Sequence, residues 1–422
     1  MATAGDVNGD GYDDLVVGAW YDDEGANNAG AAYLILGTAA PTGGSLSSAV
    51  KYVGKNEGEG AGRTVSSAGD TNGDGYADVL VGAYTNQDVA TYAGAAVLIL
   101  GGPAPGSAPV YDGVVFSGEE VMNFAGVSLS PAGDVNGDTL DDVIIGAYGK
   151  SDYAGAAYVI LGSSSPVASS LSTAITFEGE SSSNLAGWAV TGGEDADGDG
   201  FDDILVGATS ARDAAGAATG SAYLVLGSGG LASANLSTAV KYTGEADGHH
   251  AGCAVAASGD VDGDGYGDFL VGADGNSDGG SNAGAAYVLL GTSAPASTAL
   301  ASTIQFTGEA LDDEAGGAVS GAGDVDGDGH DDMLVSASEN DTAGSRAGAV
   351  YLVFGANSLA PVSLSTASRF TGENPTDYAG IDAAGAGDVN ADGYADFLIG
   401  AYLNDAAASD AGAAYLILGT GL

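Results

Sequence analysis

The sequence predicts an all-β fold, a seven-bladed β-propeller of four-stranded blades with an incomplete closing blade at the termini. Three observations carry that expectation. A nine-residue acidic motif recurs seven times, starting at Asp6, Asp70, Asp134, Asp195, Asp260, Asp324 and Asp388. Successive copies are 64, 64, 61, 65, 64 and 64 residues apart. Between copies lie short apolar runs rich in Val, Ile, Leu and Tyr, bounded by Gly, Asn, Asp and Pro, which are strand and turn signals. Four such runs per period match a propeller blade, and a unit this short cannot bury a core alone. A linear β-solenoid is the competing architecture, but its repeats are much shorter. With 74 glycines and no sustained helical periodicity, helices should be few.

The period from Gly62 to Gly126 shows the elements in order, labelled A to D from the channel outward. Strand A is the run Gly62–Gly69, which leads into the acidic loop. Strand B follows as Asp78–Tyr84, and after a polar stretch strand C is Ala93–Leu100. A Gly/Pro/Ser-rich connection reaches strand D at Val114–Gly118, and Ala125-Gly126 restarts the pattern. One domain therefore covers 1–422, with repeats at about 1–61, 62–125, 126–186, 187–251, 252–315, 316–379 and 380–422. Small residues such as Gly155-Ala156-Ala157 and Gly412-Ala413-Ala414 suit the crowded centre of a propeller.

The seam departs from this regularity. From the glycine ending strand C to the next acidic loop is 33 residues in every period, as from Gly37 to Asp70 and from Gly355 to Asp388. Only nine positions would separate Gly419 from Asp6 if the ends were joined, so about 24 are missing. The expectation is that blade 7 lacks strand D and blade 1 lacks most of strand A. An unclosed blade exposes a strand edge, and such edges recruit partners.

Each acidic loop offers side-chain oxygens at positions 1, 3, 5 and 9 and a main-chain carbonyl at position 7. In chain order the candidate ligands are Asp6, Asn8, Asp10, Tyr12 and Asp14; Asp70, Asn72, Asp74, Tyr76 and Asp78; Asp134, Asn136, Asp138, Leu140 and Asp142; Asp195, Asp197, Asp199, Phe201 and Asp203; Asp260, Asp262, Asp264, Tyr266 and Asp268; Asp324, Asp326, Asp328, His330 and Asp332; and Asp388, Asn390, Asp392, Tyr394 and Asp396. The residue at position 7 acts through its carbonyl. Carboxylate and carbonyl oxygens converging on one point are what a hard cation requires, so up to seven Ca²⁺ are expected, one per blade. Glycines at positions 4 and 6 let the backbone curl that tightly. An EF-hand shares the opening but needs a glutamate at position 12, where these loops carry Val17, Val81, Ile145, Val206, Val271, Val335 and Ile399.

The chain has 57 acidic and 8 basic residues, a net charge of −49, and loop positions 1, 3, 5 and 9 hold 24 of the acids. A basic face for phosphate is missing, which excludes nucleic acid as a partner and disfavours direct insertion into anionic membranes. The first twenty residues carry neither a basic nor an apolar signal region, and no apolar run reaches membrane-spanning length. Weak multi-site calcium loops suit millimolar calcium, hence an extracellular or cell-surface setting with any targeting signal outside this chain. Cys253 is the single cysteine, so no intrachain disulfide forms. His330 stands in a loop, and His249 and His250 are adjacent in a D-to-A connection without a recognisable metal or triad partner. No catalytic residues and no further cofactor are expected. The sequons at Asn235 and Asn340 fall in predicted connections, where a glycan would be tolerated.

Two short elements identify a resemblance. Gly18-Ala19-Trp20, Gly82-Ala83-Tyr84, Gly146-Ala147-Tyr148 and Gly400-Ala401-Tyr402 end strand B, and Ala-Gly pairs at Ala61, Ala125, Ala186, Ala251, Ala315 and Ala379 open each period. Together with the loops they resemble the FG-GAP repeats of integrin α-subunit propellers and their bacterial relatives, over essentially the whole chain. The aromatic of the "FG" element is alanine here, and all seven blades carry a loop where integrins keep a subset. The resemblance implies a calcium-binding adhesion or ligand-binding module. Its protein or glycan ligand would meet the face opposite the loops, formed by the B-to-C and D-to-A connections. The alternatives are a subunit of an extracellular array or filament, self-associating through the terminal blade, and the non-catalytic propeller of a larger carbohydrate-active enzyme.

Overall fold

A computed structural model describes residues 1–420. Seven sheets succeed one another along the chain, and strand A of each packs on strand A of the next, including blade 7 on blade 1. The ring is closed. Blade 2 shows the unit: strand A is Val65–Gly69, B is Asp78–Ala83, C is Ala95–Ile99 and D is Val114–Ser117, all antiparallel. Strand B is buried throughout in blades 2 to 7, because sheets cover it on both faces. That is why it reads as a continuous apolar run instead of an alternating one.

The cores lie between blades. Leu270, Val288 and Phe306 of blade 5 meet Met333, Val335 and Tyr351 of blade 6, for example. The small residues opening strand C have a different cause from the one expected. The next D-to-A connection crosses them as a parallel bridge, Gly94 to Ala125 in blade 2 and Gly155 to Ala186 in blade 3. A Cβ at Gly94 would lie 2.2 Å from the Ala125 carbonyl oxygen, so backbone crossing sets their size.

One recurring device was not foreseen. In the C-to-D connection a two-residue strand leaves its own blade and pairs in parallel with strand D of the preceding one. Ala108–Pro109 joins blade 1, Ser169–Ser170 blade 2, Ala234–Asn235 blade 3, Thr298–Ala299 blade 4 and Val362–Ser363 blade 5. A single 3-10 turn follows and buries its first residue: Val110, Leu171, Leu236, Leu300 or Leu364. Blades 2 to 6 are therefore each clamped to their predecessor at the rim.

The seam corrects part of the expectation. Strand A of blade 1 is present as Ala2–Gly5, paired with Asp14–Ala19. Blade 7 does lack strand D among the described residues, having only Ala379–Gly387, Asp396–Ala401 and Ala413–Ile417. Its strand C is half-exposed where the others are buried. Blade 1 forms the clamp's 3-10 turn, Leu46–Ser48, but no clamp strand, and Leu46 is not buried. The core shared by blades 7 and 1 shrinks to Leu15, Ala386, Val389 and Leu398.

Burial of the clamp residue predicts its weight. Leu300→Ala removes a fully buried side chain and should destabilise by about 2–5 kcal/mol in denaturant titrations, whereas Leu46→Ala should cost well under about 1 kcal/mol.

Candidate metal centre and the opposite face

The acidic loop is organised around its first aspartate. In blade 1, Asp6 Oδ1 accepts the N–H groups of Gly9 and Asp10 at 2.7 and 3.0 Å, and Oδ2 accepts that of Gly11 at 2.9 Å. Blades 2, 3, 4 and 6 repeat this set of bonds, with Thr139 as the third donor in blade 3. The position-9 aspartate is fully buried in all seven blades. Its two oxygens accept the N–H of position 2 and of the glycine that ends strand C, as Asp268 does from Val261 and Gly291 at 2.9 and 2.7 Å. Burial and neighbouring loop carboxylates push Asp142, Asp203 and Asp268 up to about 7, and Asp14 and Asp332 to about 6.

Carboxylate oxygens converge within 4.8 Å in three loops: Asp195, Asp197 and Asp199; Asp260, Asp262 and Asp268; and Asp324, Asp326 and Asp332. Backbone N–H groups satisfy only some of the lone pairs, so these all-oxygen clusters could hold a metal ion. The donor set suits a hard divalent cation and offers no soft ligand.

The residue at position 7 has a role that its carbonyl did not reveal. Its side chain lies over position 4 of the preceding loop, so a Cβ at Gly198 would fall 2.7 Å from the Tyr266 ring, and one at Gly263 2.6 Å from His330. His330 thus caps its neighbour, with Nε2 2.9 Å from Asn357. Position 8 adds a second link: Asp13, Asp141, Asp202 and Asp331 each accept the position-1 N–H of the preceding loop, at 2.6–2.9 Å. Asp13 makes that bond to Asp388 across the seam, and at every junction the position-8 N–H donates to the position-1 carbonyl of the preceding loop, so the loops form a continuous ring. In blade 4 the arrangement is inverted. Glu194 stands where the other repeats have glycine, and its side chain fills the space that Gly267 leaves at position 8 of blade 5.

On the opposite face, Trp20, Tyr84, Tyr148 and Tyr402 follow strand B in blades 1, 2, 3 and 7. The Arg63 guanidinium lies between Trp20 and Tyr84, 4.9 and 5.3 Å from their rings. Phe124 stacks on Tyr148 at 5.0 Å, and Trp188 meets Tyr148 at 5.1 Å. Trp188 is 41% and Tyr402 46% exposed. The result is an arc of aromatic rings open to solvent, which the sequence reading had not assembled.

On the same face of the ring, buried asparagines bind strand C tyrosines and acids of the preceding connection. Asn340 donates to Asp313 at 2.7 Å and to Glu309 and Tyr351 at 3.1 and 3.3 Å. Asn340 is 1% exposed, so the expected tolerance of a glycan there is wrong. Asn235 is exposed, but it caps the following turn and donates to the Gly179 carbonyl. The basic residues are likewise engaged: Lys51 with Asp22, Lys150 with Glu119, Lys241 with Glu180, Arg369 with Glu309 and Arg346 with Glu339. The Cys253 thiol is pushed up by burial. No helix among the described residues is long and apolar enough to cross a membrane.

Comparison with known proteins agrees with the geometry. The FG-GAP repeat family profile matches residues 2–35, 61–99, 125–160, 186–225, 254–289, 315–353 and 381–417. The chain belongs to the FG-GAP repeat family. Integrin alpha pat-2 of Caenorhabditis briggsae is 34% identical over 230 residues, 51% of this chain and 18% of that protein. Its Caenorhabditis elegans counterpart is 32% identical over 226 residues, again half of this chain and 18% of that protein. Human integrin alpha-X is 41% identical over 85 residues, 20% of this chain and 7% of that protein. The chain thus aligns with less than a fifth of the length of these relatives.

Two outcomes follow. Ala391 alone replaces the position-4 glycine and holds a φ of 57°, so Ala391→Gly should stabilise by about 1 kcal/mol, while Gly198→Ala should destabilise by at least as much in chemical denaturation. His250 Nδ1 lies 2.9 Å from Asp274, which raises its pKa above 6.5. The favourable pairing is present below 6.5 and fades as pH rises through the raised value, so Asp274→Asn should move the imidazole NMR titration midpoint down.

Proposed function

We propose that this propeller is a calcium-holding adhesion module of a secreted or cell-surface protein. Each loop holds one Ca²⁺ through side chains at positions 1, 3, 5 and 9 and the carbonyl at position 7. A protein or glycan ligand docks on the opposite face. The carrying observation is the convergence of carboxylates in three copies of a loop whose sequence recurs in every blade, with an open aromatic arc on the other side. FG-GAP membership and the integrin α relatives favour a binding role over catalysis. Seven cations would also offset the repulsion among the loop acids, so stability should depend on them strongly.

Calorimetric titration tests this reading. Asp260→Ala with Asp264→Ala should lower calcium stoichiometry by one and weaken mainly blade 5, since each repeat contacts only its neighbours. Melting temperature should rise steeply with calcium, with magnesium a poor substitute. Identical melting curves in calcium and in chelator would refute the proposal. On the ligand side, a glycan and protein array probed with Tyr148→Ala and Trp188→Ala should lose signal that the parent chain gives.

A second reading has its own observation. The unpaired edge of Ala413–Ile417 and the half-exposed Leu46 favour a joint at blade 7, through which copies assemble into an array. Discrete monomers under negative stain, at concentrations where the parent fold is intact, would oppose it.

A further inference from the structure

The loops fall into two contiguous sectors of the ring. Blades 4, 5 and 6 carry aspartate at position 3, as Asp197, Asp262 and Asp326, and so four carboxylates each. Blades 7, 1, 2 and 3 carry Asn390, Asn8, Asn72 and Asn136 there, and so three each. The amide changes what the loop can do for itself. Asn8 Nδ2 and Asn390 Nδ2 donate to the position-5 carboxylates Asp10 and Asp392 at 3.0 Å, and Asn136 Nδ2 donates to Asp142 at 3.3 Å. These loops bridge their own carboxylates with a proton donor. An ionised aspartate has no proton to give, and among the described residues blades 4, 5 and 6 are the three in which bare carboxylates converge within 4.8 Å.

The same division appears on the opposite face. Strand B runs from the position-9 aspartate to the residue that follows it on the far side. That residue is Tyr402, Trp20, Tyr84 or Tyr148 in blades 7, 1, 2 and 3, but Thr209, Asp274 or Ser338 in blades 4, 5 and 6.

We infer that the ring fills with divalent cations in two tiers. Blades 4–6 bind first, and the four loops beneath the aromatic arc bind only at higher concentration. This rests on the reading of the loops as cation sites. Carboxylate count is the lever that sets affinity in all-oxygen sites. An extra full charge at ligand distance from a doubly charged ion separates the tiers by at least about tenfold in dissociation constant. A calcium level that saturates the first tier leaves the aromatic sector unfilled, so the ligand face tightens only in calcium-rich surroundings.

Calorimetric titration of the intact chain with calcium should resolve three tight sites and four weaker ones. Asn72→Asp, which installs a residue other loops already carry, should give four and three; Asp262→Asn should give two and five. At intermediate calcium, hydrogen exchange should slow in Asp203–Ala208, Asp268–Ala273 and Asp332–Ala337 before Asp14–Ala19 and Asp78–Ala83. Seven equivalent sites, or an Asn72→Asp variant with unchanged site classes, would overturn the tiers while leaving the cation reading intact. No binding at all would overturn both.

Discussion

One buried carboxylate per blade holds the two halves of the architecture together. The position-9 aspartate sits at the start of strand B with no exposed surface, and its oxygens tie the loop to the end of strand C. Without it, the N–H groups at both places would be buried and unpaired, which costs more than the bonds themselves contribute. The residue is also an anion in a low-dielectric setting, crowded by other anions, and burial raises its pKa accordingly. A charge placed there is costly unless N–H donors or a cation compensate it.

The ring is a chain of nearest-neighbour contacts with no covalent tie. Three kinds recur at the junctions from blade 1 to blade 6: apolar packing between sheets, position 7 over the previous position 4, and the rim clamp with its buried Leu or Val. The apolar packing survives at the seam, because Leu398 still packs on Leu15, and the position-8 link is kept as well, because Asp13 still reaches Asp388. The clamp does not, since blade 7 offers no outer strand for Leu46 to cover. Opening free energy in such arrays is set by the weakest junction, so fluctuations should begin between blades 7 and 1.

The blade architecture was legible because its signals are local. Strand B reads as an apolar run, the loop as an oxygen pattern, and the period as arithmetic. The clamp was not legible: Ala108–Pro109 and Thr298–Ala299 are two residues each, and their partner lies in the preceding blade about 56 residues away. No window centred on them carries that pairing. The candidate ligands were readable one loop at a time, but the capping role of Tyr266 and His330 needs the neighbouring loop's backbone. A cue did exist, since a glycine at position 4 faces a bulky residue at position 7 of the next repeat, in register. Asn340 misled in the opposite way. Its sequon looks like a surface connection, yet its amide is the hub of a polar cluster.

The two faces are linked by the most rigid element of each blade. Strand B is short, buried and fully paired, with the acidic loop at one end and the "GAP" element at the other. On the proposed cation reading, a loop without its ion would leave mutually repelling carboxylates at one end of a buried, fully paired strand. The strain is relieved by shifting the strand within its sheet or by loosening the packing beside it. Both displace the residue at the far end, which in four blades is an aromatic ring of the arc. On the proposed reading of the two faces, strand B would couple metal occupancy to ligand contact, with the acidic loop at one end and, in four blades, an aromatic residue at the other.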